Sequence, residues 1–229
     1  MQPYFLPYMG YWQMMAQADI FVVYDTIQFT KKGWINRNRF LQNGTDVIFS
    51  IPLKKDSDYL HVKDRFLADA YDRQKLIRQF QGGYSKAPYF KDHFPIIEEI
   101  ILSPYDNLFD YIHNSILKIR EFLDIDTAII KSSDADHGMA DLKGRDKVVA
   151  LCKAIGATDY INPIGGMEMY DKGDFANEGI NLTFLRSKPL NYETFNGHGA
   201  LPHMSILDVM MFNSKEVILE FLNKEFEWV

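Results

Sequence analysis

Short apolar runs alternate along the chain with segments in which apolar residues recur at helical spacing. The runs are too short for helices and are typical of buried strands, so the pattern predicts strands over 20–24, 127–131, 158–162 and 181–185. A loop and a helical segment follow most of these strands, which is the sequence form of a right-handed βαβ unit. The pattern therefore predicts an α/β fold with a mostly parallel sheet and helices on both faces.

The longest helical pattern covers 107–123, with Asp106 as its predicted N-cap. Gly82-Gly83 is expected to end an earlier helix and Gly156 a later one. The other predicted helices begin at about Gly10 or cover 71–80, 93–102, 141–155, 204–212 and 214–225.

Residues 34–53 alternate in polarity around Asn43-Gly44, a pair that supplies the positive φ angles of a tight turn. We expect an antiparallel β-hairpin here, inserted into the otherwise parallel order. His61-Val62-Lys63 is predicted as a further short strand.

The opening stretch, residues 2–12, contains two prolines, one glycine, three tyrosines and a tryptophan. Because proline fixes φ and lacks an amide donor, this stretch is neither a helix nor a central strand. One interpretation is a stiff aromatic loop that cradles a ligand in front of a helix N-terminus. The other is an aromatic plug that packs on the core. The position of the loop relative to the strands, considered next, favours the cradle.

Ligands of parallel α/β sheets bind outside the carboxyl ends of the strands. This rule places the opening loop at one edge of the sheet, together with residues 25–32, 132–134 and 162–166. We therefore expect side chains from these four segments to converge.

The totals predict one compact domain over 1–229, with two small subdomains as the alternative. The net charge is −6 and there is no basic tract, so nucleic acid is not an expected partner. The apolar runs are shorter than a membrane helix requires, and no span is predicted. Cys152 is the only cysteine and lies in an apolar helical pattern, which favours an inert core thiol. The N-terminus lacks the pattern of a signal peptide, so we expect a cytoplasmic protein.

Several polar residues are candidates for chemistry, each with a plain structural alternative. Asp25 closes an apolar strand and is a base or an amine-orienting carboxylate, or else a helix or turn cap. Arg37 and Arg39, with Lys31 and Lys32, form a basic cluster suited to a phosphate or carboxylate, or else a solvated hairpin face.

Asn36 is interleaved with the basic residues of this predicted strand. Because asparagine is disfavoured in strands, its presence counts against a plain solvated hairpin face. Ser133 and Asp134 suit hydroxyl or phosphate binding, or else cap the next turn. The run from Asp134 to His137 holds three potential ligands but not the spacing of a known metal site, so no metal is predicted.

A set of motifs, kept in order over nearly the whole chain, resembles the WbqC-like protein family. They are Gln-Pro-Tyr-Phe-Leu-Pro-Tyr from Gln2, Gly10-Tyr11-Trp12, Ala18-Asp19, the run from Trp34 to Arg39, Ile51-Pro52-Leu53, the run from Lys86 to Phe90, Ser132-Ser133-Asp134, and Ser205-Ile206-Leu207-Asp208. The resemblance implies a role in O-antigen and other surface-polysaccharide clusters. A glycine-transferase role, meaning the attachment of an amino acid to a sugar, has been proposed for the family, and the resemblance implies the same activity here.

Members of that family usually carry a short apolar strand before the Gln-Pro motif, whereas here Met1 leads straight into Gln2. The resemblance therefore leads us to expect either a start further upstream or a missing first strand.

Tyr8-Met9-Gly10-Tyr11 is similar to the His-x-Gly-His region of nucleotidylyl transferases such as pantothenate synthetase, with tyrosines in place of both histidines. His203-Met204-Ser205-Ile206 is similar to their Lys-Met-Ser-Lys-Ser loop, without its lysines. This similarity implies a Rossmann-like, nucleotidylyl-transferase-like sheet, and ATP or a nucleotide sugar as a ligand.

Two functions follow from the residues and the resemblance together. The first is a transferase acting on a sugar or nucleotide sugar and an amino acid, with Asp25 as the catalytic carboxylate. The second is a non-catalytic module that binds a nucleotide sugar or a partner. The expected substrate-binding residues are Gln2, Tyr8, Tyr11, Trp12, Asn36, Arg37, Arg39, Ser133 and Asp134.

Overall fold

The computed structural model describes residues 1–136, 138–139 and 141–229, and within them it has a mixed α/β architecture. The helices are α1 Met9–Ala16, α2 Arg73–Tyr84, α3 Phe90–Leu102, α4 Leu108–Phe122, α5 Ser132–Ala135, α6 Gly144–Ala154, α7 Lys172–Ala176, α8 Ile206–Phe212 and α9 Lys215–Lys224. The strands are β1 Ile20–Val23, β2 Arg37–Gln42, β3 Thr45–Ser50, β4 Ala128–Lys131, β5 Asp159–Pro163, β6 Asn181–Ser187 and β7 Phe226–Trp228.

The strands of the described chain form three small sheets. β1 and β4 pair in parallel, from Ile20 opposite Ala128 to Val23 opposite Lys131. β5 and β6 form a second parallel pair, to which β7 adds an antiparallel edge. The α/β class and the parallel pairing are confirmed, but the parallel strands stand as two separate sheets.

The hairpin is confirmed as β2 and β3, paired from Arg37 opposite Ser50 to Gln42 opposite Thr45. Its turn has φ of 52° at Asn43 and 79° at Gly44, the left-handed conformation that this pair tolerates. The hairpin also supports the opening loop, because Asn38 Nδ2 donates to the carbonyl oxygens of Phe5 at 3.2 Å and Leu6 at 2.7 Å.

Three local predictions are wrong. α2 does not stop at Gly82 but continues to Tyr84. The N-cap of α4 is Asn107 rather than Asp106, since the Asn107 side chain accepts from the Asp110 amide at 3.1 Å. The predicted strand at 61–63 is a single bridge from His61 to Gln28, followed by a 3₁₀ turn over Val62–Asp64.

Buried apolar side chains form a large core and a small one. The large core joins α1 and the hairpin to the helices α2, α3, α4, α8 and α9. The small core lies around β5, β6, α6 and α7. Its buried members are Val149, Cys152, Phe175, Ile180, Leu182 and Phe184. The β1–β4 pair thus packs on the large core, whereas the β5–β6 sheet packs on both cores, since Leu185 and Ile161 contact the large one.

None of the helices in the described ranges combines the length and the apolar character needed to cross a membrane.

Candidate functional site

The carboxyl ends of β1 and β4 are joined through Asp25. Its Oδ1 accepts hydrogen bonds from Ser132 Oγ at 2.7 Å and from the Ser133 amide at 2.9 Å, and the residue is only 2% exposed. Burial alone would raise the pKa of Asp25, but the hydrogen bonds from Ser133 and Ser132, with the charge of Lys63, lower it below its ordinary value. Asp25 is therefore held as a carboxylate.

This contact of Asp25 has the geometry of a helix cap. Ser132 and Ser133 begin α5, and the Ser133 amide of this first turn donates to the Asp25 carboxylate. Ser133 is half-buried and Asp134 is exposed on the same turn. The structure thus brings Asp25, Ser133 and Asp134 together at one edge, with Asp25 in the capping arrangement.

A buried ion pair that the sequence analysis missed lies beside this edge. Lys147 Nζ of α6 is 2.6 Å from Asp136 Oδ2, and the two side chains are 9% and 10% exposed. The same ammonium lies 5.5 Å from the centre of the Tyr24 ring. Burial acts to lower the pKa of Lys147, but Asp136 and Tyr24 raise it above its ordinary value. The sequence does contain a signal for this buried lysine. Lys147 and Leu151 have i, i+4 spacing, which places both on the same buried face of α6.

The opening loop lies against a separate cavity of about 290 Å³, which we name the Tyr8 cavity. Its walls are Tyr8 and Met9, the segment 187–190 at and beyond the end of β6, Tyr192, the segment 200–204, and Val209. Lys188 and His203 supply the basic groups of the wall. The Tyr8 and His203 rings meet edge to face, with centroids 5.8 Å apart. The cavity thus lies at the carboxyl end of a parallel strand, next to the N-terminus of α1.

The walls of the Tyr8 cavity are fixed by hydrogen bonds from outside it. Ser205 Oγ donates to the Leu6 carbonyl at 2.7 Å, and Leu6 has a φ of 48°, which is unusual for leucine. Arg39 Nη2 donates to the carbonyls of Pro202 at 2.8 Å and His203 at 3.1 Å. His203 also has a positive φ, 55°. Two strained backbone positions are therefore held in place beside one cavity.

The buried carboxylate of Asp208 supports the wall of the Tyr8 cavity through Tyr192. Asp208 accepts hydrogen bonds from Tyr84 Oη at 2.7 Å and from Tyr192 Oη at 2.6 Å. Tyr192 lines the cavity, and Tyr84 in turn accepts from the Leu41 amide of the hairpin at 2.7 Å. The network connects the cavity wall to β2.

The other predicted site residues lie elsewhere. Tyr11 and Trp12 are fully buried in the large core, where they have no face open to a ligand. Asn36 Nδ2 donates to the Ile51 carbonyl, and Arg37 donates to the carbonyls of Gly33 and Lys32. Gln2 is half-buried and accepts from Tyr4 Oη at 3.1 Å.

Of the residues expected to stack, Tyr8 alone lines the described cavity, and Tyr11 and Trp12 take the packing role. His137 lies outside the described residues. Among the described residues, no three His, Cys, Asp or Glu side chains are arranged to hold a metal ion.

The fold and the cavity define a mixed α/β protein with a concave, aromatic-lined cavity beside its opening loop. The chain belongs to the WbqC-like protein family, which matches residues 2–220, and this confirms the family expected from the motifs. The uncharacterized protein Rv1507c of Mycobacterium tuberculosis is 26% identical over 219 residues, which cover 93% of this chain and 91% of that protein. No solved structure matches the chain.

Proposed function

We propose that this chain is a cytoplasmic transferase of surface-polysaccharide synthesis that binds an activated sugar in the Tyr8 cavity. The transferred group is glycine or another aminoacyl or acyl group, and the acceptor is an amino sugar. The observation that carries the binding step is the cavity itself, whose lining includes an aromatic ring, Tyr8, and two basic residues, Lys188 and His203.

The chemistry of the cavity suits a nucleotide sugar or ATP. The Tyr8 ring suits stacking on a base or a sugar ring, Lys188 offers positive charge to phosphates, and His203 offers a ring nitrogen for a hydrogen bond. Burial raises the pKa of the Tyr8 phenol above its ordinary value, so the phenol stays neutral and can donate a hydrogen bond. Arg39 acts here through the backbone of 202–203, as a positioning residue.

In this proposal, the acceptor or the amino acid binds at the carboxyl ends of β1 and β4, where Asp25, Ser133 and Asp134 meet. Asn36 and Arg37 remain candidate ligands of the same substrate, together with Gln2 of the opening loop. The proposal includes a Rossmann-like sheet in which the two parallel pairs are parts of one layer. It is supported by the two parallel pairs and by a cavity of about 340 Å³ that lies between β1 and β5.

The binding step is tested by calorimetry with ATP, a uridine diphosphate sugar and glycine as separate probes. We expect one of the phosphate-bearing probes to bind, and Lys188→Ala to weaken it about tenfold, equivalent to ~1.4 kcal/mol. Lys91→Ala on α3 is the matched control, since Lys91 is exposed and lies outside the cavity wall. Equal affinities of the two variants would remove the cavity from the proposal.

A second function is favoured by one observation. The Asp25 carboxylate is already engaged by Ser132 and Ser133, which suits a structural cap better than a base. The chain would then be a non-catalytic module that binds a nucleotide sugar for polysaccharide assembly. Mass spectrometry of the protein with paired donor and acceptor separates the two functions. A new product favours the transferase, and binding without any product favours the module.

A further inference from the structure

An exposed tryptophan lies just before the hairpin. Trp34 is 43% exposed, whereas Ile35 next to it is buried. A single exposed apolar side chain is ordinary on a protein surface and shows nothing by itself. The contacts around this indole ring, however, give it the features of a binding surface.

The turn in front of Trp34 is held by hydrogen bonds. The Gly33 amide donates to the Thr30 carbonyl at 3.0 Å, and Arg37 Nε donates to the Gly33 carbonyl at 2.7 Å. Arg37 Nη2 donates to the Lys32 carbonyl. The backbone that presents the indole ring is therefore fixed in advance, so little conformational freedom is lost when a ligand stacks on the ring.

Two guanidinium groups of β2 lie beside the indole ring. Arg37 Cζ is 5.2 Å from the ring centre, and Arg39 Cζ is 6.0 Å from it. The two arginines are two positions apart in a strand and share one face, while Asn38 between them is buried on the other face. We name Trp34, Arg37 and Arg39 the Trp34 platform. It combines an exposed aromatic ring with positive charge.

The two arginines of the Trp34 platform differ in what they can still bind. Arg39 is occupied, since its Nη1 pairs with Asp46 at 2.9 Å and its Nη2 donates to the carbonyls of 202–203. Arg37 donates to carbonyls of its own turn through Nε and Nη2. Within the described ranges, Arg37 Nη1 has no hydrogen-bond partner and the side chain forms no ion pair. Arg37 therefore has N–H donors and an unbalanced charge to offer to a ligand.

The Trp34 platform adjoins the Tyr8 cavity. Arg39 contacts both, because its Cζ lies near the indole ring while its Nη2 donates to the carbonyls of Pro202 at 2.8 Å and His203 at 3.1 Å. Pro202 and His203 line the cavity. One guanidinium group thus separates the indole ring from the cavity wall, and a ligand too long for the cavity can continue onto the ring.

We propose that the Trp34 platform binds a sugar ring that carries a carboxylate, in a part of the substrate that lies outside the Tyr8 cavity. The C–H groups on one face of a pyranose ring are attracted to the negative face of the indole, so the two rings stack. The carboxylate accepts hydrogen bonds from Arg37 Nη1. Since one nitrogen of Arg37 is open, a singly charged carboxylate fits it better than a doubly charged phosphate does.

The inference rests on the proposed function, because it assigns a further part of the substrate proposed there. It extends that substrate from a single amino sugar to a glycan in which a second ring is a uronic acid. Trp34 and Arg37 are binding residues in this assignment, and Arg39 keeps its role as a positioning residue between the two sites.

The test titrates the full chain with two trisaccharides, trigalacturonic acid and the uncharged maltotriose. The chain contains three tryptophans, so three indole N–H signals are expected in a nitrogen–proton NMR spectrum, and Trp34→Phe assigns the signal of Trp34. We expect trigalacturonic acid to shift the Trp34 signal and to leave the signal of the buried Trp12 in place. Maltotriose should bind at least about tenfold more weakly because it lacks the partner of Arg37.

Variants separate the ring from the charge. Trp34→Ala should weaken the binding of trigalacturonic acid about tenfold or more without lowering the melting temperature. Trp228→Ala is the matched control, since Trp228 is 48% exposed on β7 and should bind like the parent. Arg37→Gln should reduce the affinity for trigalacturonic acid to that for maltotriose. Because this change also removes the bonds to the turn, salt is the second measurement: ~1 M salt should weaken the acidic trisaccharide and spare the neutral one.

The platform and the proposed function fail separately, because neither trisaccharide contains a nucleotide. Nucleotide binding with no response of the Trp34 signal to trigalacturonic acid would overturn the platform alone. A Trp34 response without nucleotide binding would support the platform and remove the nucleotide from the proposed function. Equal affinities of Trp34→Ala and the parent, or of the two trisaccharides, would also contradict the platform. Binding to phosphatidylserine vesicles that is lost in Trp34→Ala, with no response to either trisaccharide, would assign the ring to a membrane surface instead.

Discussion

The Asp25 carboxylate ties β1 to the first turn of α5, two elements separated by more than a hundred positions in the sequence. Because the residue is 2% exposed, its removal leaves the amide of Ser133 and the hydroxyl of Ser132 without their buried acceptor. An unmade buried hydrogen bond costs about 1–3 kcal/mol.

We predict that Asp25→Ala lowers the free energy of unfolding by about 1–3 kcal/mol, measured by urea denaturation. Asp25→Asn should cost less because an amide oxygen can still accept. Asp19→Ala is the control, since Asp19 is exposed just before the same strand and should change stability little. A loss in Asp25→Ala no greater than that in Asp19→Ala would show that the cap contributes nothing.

Asp208 is a second buried carboxylate, with the opposite shift. Burial raises its pKa above the ordinary value by more than the hydrogen bonds from Tyr192 and Tyr84 lower it. The folded protein therefore keeps this proton at a pH where the unfolded chain has released it. The contribution of Asp208 to stability is complete below about pH 4 and declines as the pH rises toward the folded pKa.

We predict that Asp208→Asn removes this decline, so that its free energy of unfolding falls less than that of the parent between about pH 4 and the folded pKa. Unfolding in urea at several pH values measures the two slopes. Asp92→Asn, exposed on α3, is the control and should retain the parent slope. Parallel slopes for Asp208→Asn and the parent would show that Asp208 titrates normally.

The sequence identifies the candidate side chains of the site, but it does not identify the residues that each of them contacts. Asp25 at the end of an apolar strand was compatible with a base or a cap, and the serines that engage it lie on a distant segment. The Arg39 side chain is predicted as an anion ligand, but two carbonyls of 202–203 bind its Nη2. No spacing rule connects residues so far apart in the chain.

Elements whose own residues contain the signals that define them were predictable from the sequence. The hairpin has both alternation and an Asn-Gly turn, and the end of α6 has a glycine with φ of 70° at Gly156. The end of α2 was not predictable, because Gly82-Gly83 is normally a stop signal. Packing overrides it: a Cβ on Gly83 would lie 2.5 Å from the Leu41 carbonyl oxygen, so α2 continues along the hairpin with its backbone close to β2.

The two adjacent glycines of α2 should respond in opposite directions. Gly83→Ala places a methyl group against backbone that cannot yield without moving the hairpin, and we expect a loss of about 1–3 kcal/mol. Gly82→Ala meets nothing within 4 Å and should gain about 0.5–1 kcal/mol from helix propensity. Thermal and urea unfolding measure both changes. A gain in Gly83→Ala would mean that α2 and β2 can move apart.

At the scale of the whole molecule, the parallel strands form two separate pairs, and only the β5–β6 pair packs on the small core as well as on the large one. The βαβ pattern predicts parallel strands correctly. It does not predict that β1 and β5 face each other across a gap, because strand order depends on contacts between distant segments. Since the small core has few members, its unit should open at a lower free energy than the large core does.

Phe175→Ala and Phe80→Ala form a matched pair, since both rings are fully buried, one in the small core and one in the large core. We predict that Phe175→Ala speeds hydrogen exchange across β5, β6 and α7 while β2 and β3 keep their protection. Phe80→Ala should instead lower the protection of the whole chain, because the large core contains α1, the hairpin and most helices. Exchange read by mass spectrometry at peptide resolution measures both patterns. A uniform loss of protection in Phe175→Ala would mean that the two cores unfold as one unit.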